Sequence, residues 1–429
     1  MNSLSRRNFL GGMAGTAVLP LFNIGMEDPT ATRLAPELKG MRDPITGRTI
    51  RQFTSAKAHS YPLYYFSPSI TTDNHYLVFH SERTGWVELY RLDLLTGEMV
   101  QLTDGRTRDS GWAMWCEWHL RGIYNHLSAL NQARREVYYF QDEEIRCTHL
   151  DTLANRLMLR IPGRISIGQS SFSPDGRHFA FIHADRTNYV EVMQDAEALR
   201  NMRMAPASNN WWRNRIPATI GLVNTETGEY KDVIQLDFHV HHVIWADNSR
   251  IIVNHPQNSS GMWIIGMDGT GRQTLRPPDA HGSIVHQLVT KNGIFYEAVG
   301  NKANSGARNW LGHYDLGTYT FEEVPLPEID GYMHTGLDPA GKFLFFEEHG
   351  QTHQLFALHF PHIPSRRRIE ILRTMEQYPA EQQRYHAHPF LSPDRRWIFH
   401  TELIDGYSQV CALDVHDLVD LDEYWDRKS

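Results

Sequence analysis

Gln383, His386 and His388 fall within the stretch QRYHAHPF, directly ahead of a Ser-Pro-Asp turn. A His-x-His pair in an extended segment sends both imidazoles to one side, because strand side chains alternate with period two. Two imidazoles and an amide oxygen are ligands for a divalent ion. The nitrogen donors lean to zinc, and the glutamine oxygen keeps manganese in play. A third histidine would complete a site with coordination positions left for substrate, and a fourth, near the ion without binding it, would be a general base. That combination suits removal of a carbon-bound proton beside a carboxylate, since an ion neutralises the carboxylate and stabilises the enolate-like intermediate. The chain carries 24 histidines, so two neighbours do not make a site by themselves. The elements that carry them decide.

Along the body a short apolar strand, a four-residue turn and a second apolar strand recur, a pattern of all-β structure. The turns are SPDG at 173–176, DPAG at 338–341, TKNG at 290–293 and SPDR at 392–395, with weaker copies TTDN at 71–74, NQAR at 131–134 and ADNS at 246–249. Seven such units at this spacing predict a seven-bladed β-propeller; a pair of β-sandwiches would also show short strands but would not require the repeat. Six residues before the third position of each turn stand Ser67, Leu127, Gln169, His242, His286, His334 and His388. The strand ahead of the turn is the innermost of a blade, so these side chains are expected to meet around the central channel, with His386 on the same side as His388. The long gap between the third and fourth turns holds a helical and loop insertion near residues 190–215.

With 429 residues and 41% hydrophobic content the chain can bury a large core. A net charge of -8 and a pI near 6.3 argue against a nucleic-acid partner, and three scattered cysteines exclude a disulfide framework or a thiolate zinc site. The N-terminus, MNSLSRRNFLGGMAGTAVLPLF, resembles a twin-arginine export signal with Ser5–Leu10 as its motif, and its apolar part is too short and Gly-rich for a stable membrane span. The expected organisation is signal and linker over 1–35, propeller over 36–418 and an acidic tail over 419–429, with a strand ahead of Ser60 able to complete the ring. The expected location is periplasmic or exported, with the twin-arginine machinery as a partner.

The segments YRLDLLTGEMVQLTDG, VHQLVTKNG, MHTGLDPAG and QRYHAHPFLSPD resemble the oligogalacturonate lyase family, over roughly residues 60–415. The Gln-x-x-His-x-His motif is the most specific part. The resemblance implies a seven-bladed propeller that cleaves uronic-acid oligosaccharides by β-elimination to a 4,5-unsaturated product. It implies Gln383, His386, His388 and His334 as ligands of a manganese-type ion and His286 as the base; apart from the resemblance, zinc or calcium are the alternative ions and His242 the substitute base. One family feature is missing: Gly261 stands before Met262-Trp263 where an arginine would meet the substrate carboxylate. Arg213, Arg215, Arg308 and Arg384 are the replacements to consider. The competing reading is a non-catalytic propeller that binds glycans or proteins around a structural metal. A propeller-linked serine hydrolase is discarded, because no Gly-x-Ser-x-Gly element or α/β domain is present.

Overall fold

The computed structural model describes residues 32–104, 122–123, 127–201, 215–254, 261–276, 283–291, 293–299, 309–326, 329, 332–340, 342–349, 353–359, 368–378 and 383–419. Their strands form seven sheets, each a blade built mainly of antiparallel neighbours. Blade 6 shows the plan: Tyr332–Leu337 innermost, then Phe343–His349, His353–His359 and Arg368–Met375 outward in chain order. Blade 4 runs through His242–Trp245, Arg250–Asn254, Met262–Gly266 and Gln273–Arg276, and blade 5 through Ser283–Thr290, Gly293–Val299, Asn309–Asp315 and Thr320–Pro325. The seven-bladed reading of the repeat therefore holds.

What closes the ring is period-two alternation. In blade 6, Phe343 and Phe345 pack against Ile398 and Leu413 of blade 7, while Leu344 and Phe346 turn to Leu311 and Leu326 of blade 5. The same happens at every neighbouring pair, so seven apolar clusters sit between seven blades. Each fully buried Leu, Ile or Phe contributes roughly 1.5–3 kcal/mol. The N-terminal strands lock the circle. Blade 7 consists of Phe390–Leu391, Trp397–Ile404 and Tyr407–Asp414, completed by Thr49–Gln52 and Lys39–Arg42, with Ile50 opposite Leu413 and Gln52 opposite Cys411. Arg33–Leu34, inside the stretch assigned to the linker, adds an outer strand to blade 1 against Met99–Gln101.

The insertion in blade 3 begins as a helix over Arg186–Asn201, between strands His178–Asp185 and Ala218–Asn224. The Asp185 carboxylate accepts from the Asn188 amide (2.9 Å) at its start, and Tyr189 and Val192 bury against blades 3 and 4. At the other end of the chain, His416–Val419 makes a one-turn helix. The export motif Ser5–Leu10, with the rest of residues 1–31, and the tail from 420 lie outside the described residues.

Candidate metal and catalytic site

The histidines in register meet. Ring centroids of His242 and His286 are 6.1 Å apart, those of His286 and His334 4.6 Å, and those of His334 and His388 4.4 Å. All four are buried, as are Ser67, Leu127 and Gln169 at the equivalent places in blades 1–3. His386 joins them, 4.9 Å from His334 and 5.6 Å from His388 between centroids.

The route by which His386 arrives differs from the pleated one expected. Gln383–Tyr385 is a 3-10 turn, closed by the His386 amide donating to the Gln383 carbonyl (3.2 Å), and the strand starts only at Phe390. His388 itself is left-handed, with φ 43°. A turn and one left-handed residue, rather than strand alternation, aim the two rings together. His286 is left-handed too, with φ 54°, at a bulge between Val285 and Leu288. Such conformations cost about 1–3 kcal/mol each and gather at functional sites.

The ligand atoms of His334, His386 and His388 all lie within 4.8 Å of one another. Gln383 Oε1 stands 3.1 Å from His388 Nε2. Three imidazoles and an amide oxygen around one point fit a divalent transition ion. Burial pushes the His334 imidazole down against the pull of Glu347, which favours the neutral form a ligand must have.

Sequence reasoning missed the carboxylates behind the ring. The strand register sets His242 opposite Asn254 and His334 opposite Glu347, while the bulge in blade 5 sets Glu297 opposite Val285, the residue before His286. Glu347, fully buried, receives hydrogen bonds from His334 Nδ1 (2.8 Å), His353 Nε2 (3.0 Å) and the His388 backbone N–H (3.3 Å). Burial alone would raise its pKa, but the bonds from His334 and His353 hold it well below the carboxylate range. His353 also faces the Glu376 carbonyl through Nδ1 (3.2 Å). Burial disfavours its charged form, yet Glu347 and that carbonyl raise it above an ordinary histidine. Glu297, equally buried, lies 2.6 Å from His286 Nδ1.

A second missed element is the turn Tyr64–Tyr65–Phe66, which follows the innermost strand of blade 1, Ser60–Pro62, and is closed by the Ser67 amide on the Tyr64 carbonyl (2.8 Å). It reaches across to blades 4–7: Tyr64 contacts His242 and His388, Tyr65 stacks on His388 and meets His286 and His334, and Phe66 packs edge-on to His242. Burial keeps the Tyr65 hydroxyl protonated, its pKa pushed well up. His242 is driven well below an ordinary histidine, first by burial and then by His286 and His334.

The arginines are less committed to the site. Arg384 adjoins Gln383, but its guanidinium contacts both Glu82 oxygens (3.1 Å) and lies over Tyr385. Arg215 pairs with Asp195 of the blade 3 helix (2.8 Å). Arg213 and Arg308 lie outside the described residues, and Gly261 is buried just ahead of its strand. A second group of donors, His400, Glu402 and Cys411, is also buried. There Glu402 is neutralised by Arg373, which also binds Asp43 (2.6 Å), and burial pushes the Cys411 thiol well up. That network staples blades 6 and 7.

No protein-family model and no curated protein matches the chain. Solved structures do. An oligogalacturonate lyase in complex with manganese matches with a TM-score of 0.74 at 17% identity, over 91% of this chain and 99% of that one. An oligogalacturonate lyase from Vibrio parahaemolyticus matches with a TM-score of 0.70 at 16% identity, over 90% and 98%. The acylaminoacyl peptidase of Pyrococcus horikoshii is more distant, with a TM-score of 0.51 at 12% identity over 82% of this chain and 50% of that one. At such identities the likeness concerns the fold. This chain has the seven-bladed propeller of the solved oligogalacturonate lyase structures.

Proposed function

We propose that the protein is a metal-dependent lyase that splits the O4 glycosidic bond of an oligogalacturonide or related uronic-acid glycan by β-elimination, leaving a 4,5-unsaturated uronate. One observation carries this reading. Three histidines with converging ligand atoms stand beside a fourth, His286, whose Nδ1 is taken by a buried carboxylate. A divalent ion held by Gln383, His334, His386 and His388 would neutralise the substrate carboxylate and acidify the adjacent C–H. Manganese is favoured, because a structural neighbour is a manganese complex. His286 takes the C5 proton, the C–H electrons become the C4=C5 double bond, and O4 leaves with the C4–O4 electrons and is protonated by solvent to the hydroxyl of the released sugar. Arg384 is the first arginine to consider for the substrate carboxylate, by exchanging its Glu82 partner.

The near-complete burial of the histidines favours a second reading, a non-catalytic propeller around a structural ion. That reading gives no role to an uncoordinated His286 paired with Glu297. The test is a screen of uronide oligomers for the ultraviolet absorbance of the unsaturated product, with and without chelator. Chelator-sensitive absorbance supports the lyase; a metal-loaded protein silent on every uronide supports the binding module. We further propose export by the twin-arginine route, on the strength of Ser5–Leu10.

A further inference from the structure

We infer that Glu297 is the positioning residue that makes His286, and not His242, the base of the proposed elimination; the inference rests on the lyase reading above. Both histidines occupy the same ring position, in adjacent blades, with centroids 6.1 Å apart. Their partners across the hairpin differ. Opposite His242 stands Asn254, whose amide nitrogen donates to the Ile284 carbonyl of blade 5 (2.6 Å). In blade 5 the bulge sets Glu297 opposite Val285, and its carboxylate, on a residue 1% exposed, lies 2.6 Å from His286 Nδ1. A carboxylate oxygen at this distance is placed to accept the Nδ1–H, the arrangement that leaves the lone pair on Nε2. The same carboxylate stabilises the imidazolium formed when Nε2 takes a proton.

Two features hold the arrangement. The left-handed backbone of His286 at the bulge sets the direction of the ring. Tyr65 and Phe66, with centroids 5.8 and 6.4 Å from His286, limit its rotation. Glu347 makes the same bond to His334 in blade 6, but there it serves a ligand and is shared with His353 and the His388 amide. One structural device thus supports two roles in neighbouring blades.

The test compares metal-loaded wild type with Glu297→Gln and Glu297→Asp. An amide can donate to Nδ1, which moves the imidazole proton to Nε2, where it cannot act as a base. Glu297→Gln is expected to lower kcat by roughly 10²–10⁴-fold with KM within about threefold and bound metal unchanged, and Glu297→Asp to recover part of the loss. Carbethoxylation of His286 by diethylpyrocarbonate, located by mass spectrometry, reads the Nε2 lone pair without substrate and is expected to slow in Glu297→Gln. A kcat within about twofold of wild type, or a fall that follows loss of metal, would overturn the inference. If the wild type cleaves no uronide, the lyase reading fails and carbethoxylation alone decides: an equal rate in Glu297→Gln overturns the role of Glu297, and a slowed rate keeps it.

Discussion

Glu347→Gln perturbs the candidate metal centre without removing a ligand. The carboxylate accepts three hydrogen bonds, from His334 Nδ1 (2.8 Å), His353 Nε2 (3.0 Å) and the His388 amide (3.3 Å). An amide of the same shape has one accepting oxygen and an NH₂ that faces donors. His334 relieves the conflict by turning Nδ1 into an acceptor, which puts its proton on Nε2 and costs it a ligand lone pair. Losing such an outer carboxylate weakens metal binding about 10–100-fold, or about 1.4–2.8 kcal/mol. Hydrogen bonds to a charged group contribute about 1.5–3 kcal/mol each, offset here because the variant no longer buries a charge. The metal-free protein should therefore lose only about 1–3 kcal/mol. Chelator competition followed by elemental analysis gives the affinity, and thermal unfolding in chelator gives the stability. Unchanged metal affinity in a folded variant would mean that Glu347 does not hold His334 as a ligand.

Three more outcomes are expected. His386→Ala combined with His388→Ala loses bound metal while circular dichroism keeps the propeller signature; full metal loading of that variant would disprove the ligand set. Acid weakens the fold through His80, which is fully buried and bonded to Ser128 (3.1 Å), with burial lowering its pKa from 6.5 to about 3. A histidine with a lowered folded pKa is destabilising only below its unfolded value, so stability falls from about pH 6.5 downward, by about 2 kcal/mol at pH 5. Denaturant titrations at pH 7 and pH 5 check this, and an equal slope in His80→Gln would assign the acid sensitivity elsewhere. Arg6→Lys with Arg7→Lys retains the protein in the cytoplasm, read by cell fractionation; normal export would rule out a twin-arginine signal.

The ring of histidines was legible because turn residues recur and side-chain alternation has a fixed period, so one count back from each turn reached His242, His286, His334 and His388. The carboxylates were not reachable by one count carried across the hairpin: Glu347 pairs with His334 itself, whereas the bulge in blade 5 sets Glu297 opposite Val285. Other features left no local signal. The turn Tyr64–Phe66 departs from the blade pattern, and three consecutive aromatics read as core until the ring they enter is known. Nothing in the identity of His388 announces a left-handed backbone, a conformation most often marked by glycine. The arginines depend on which acidic residue the fold brings near: Glu82 reaches Arg384 from the far end of the chain, and Asp195 reaches Arg215 from the blade 3 helix.

A histidine that acts beside the ion without holding it is tested most directly by the rate of 4,5-unsaturated product formation by His286→Ala at wild-type metal content. Removal of a general base is expected to lower turnover by roughly 10²–10⁴-fold with substrate binding retained. Near-normal turnover with full metal content would contradict the assignment and move proton abstraction to His242 or to Tyr65.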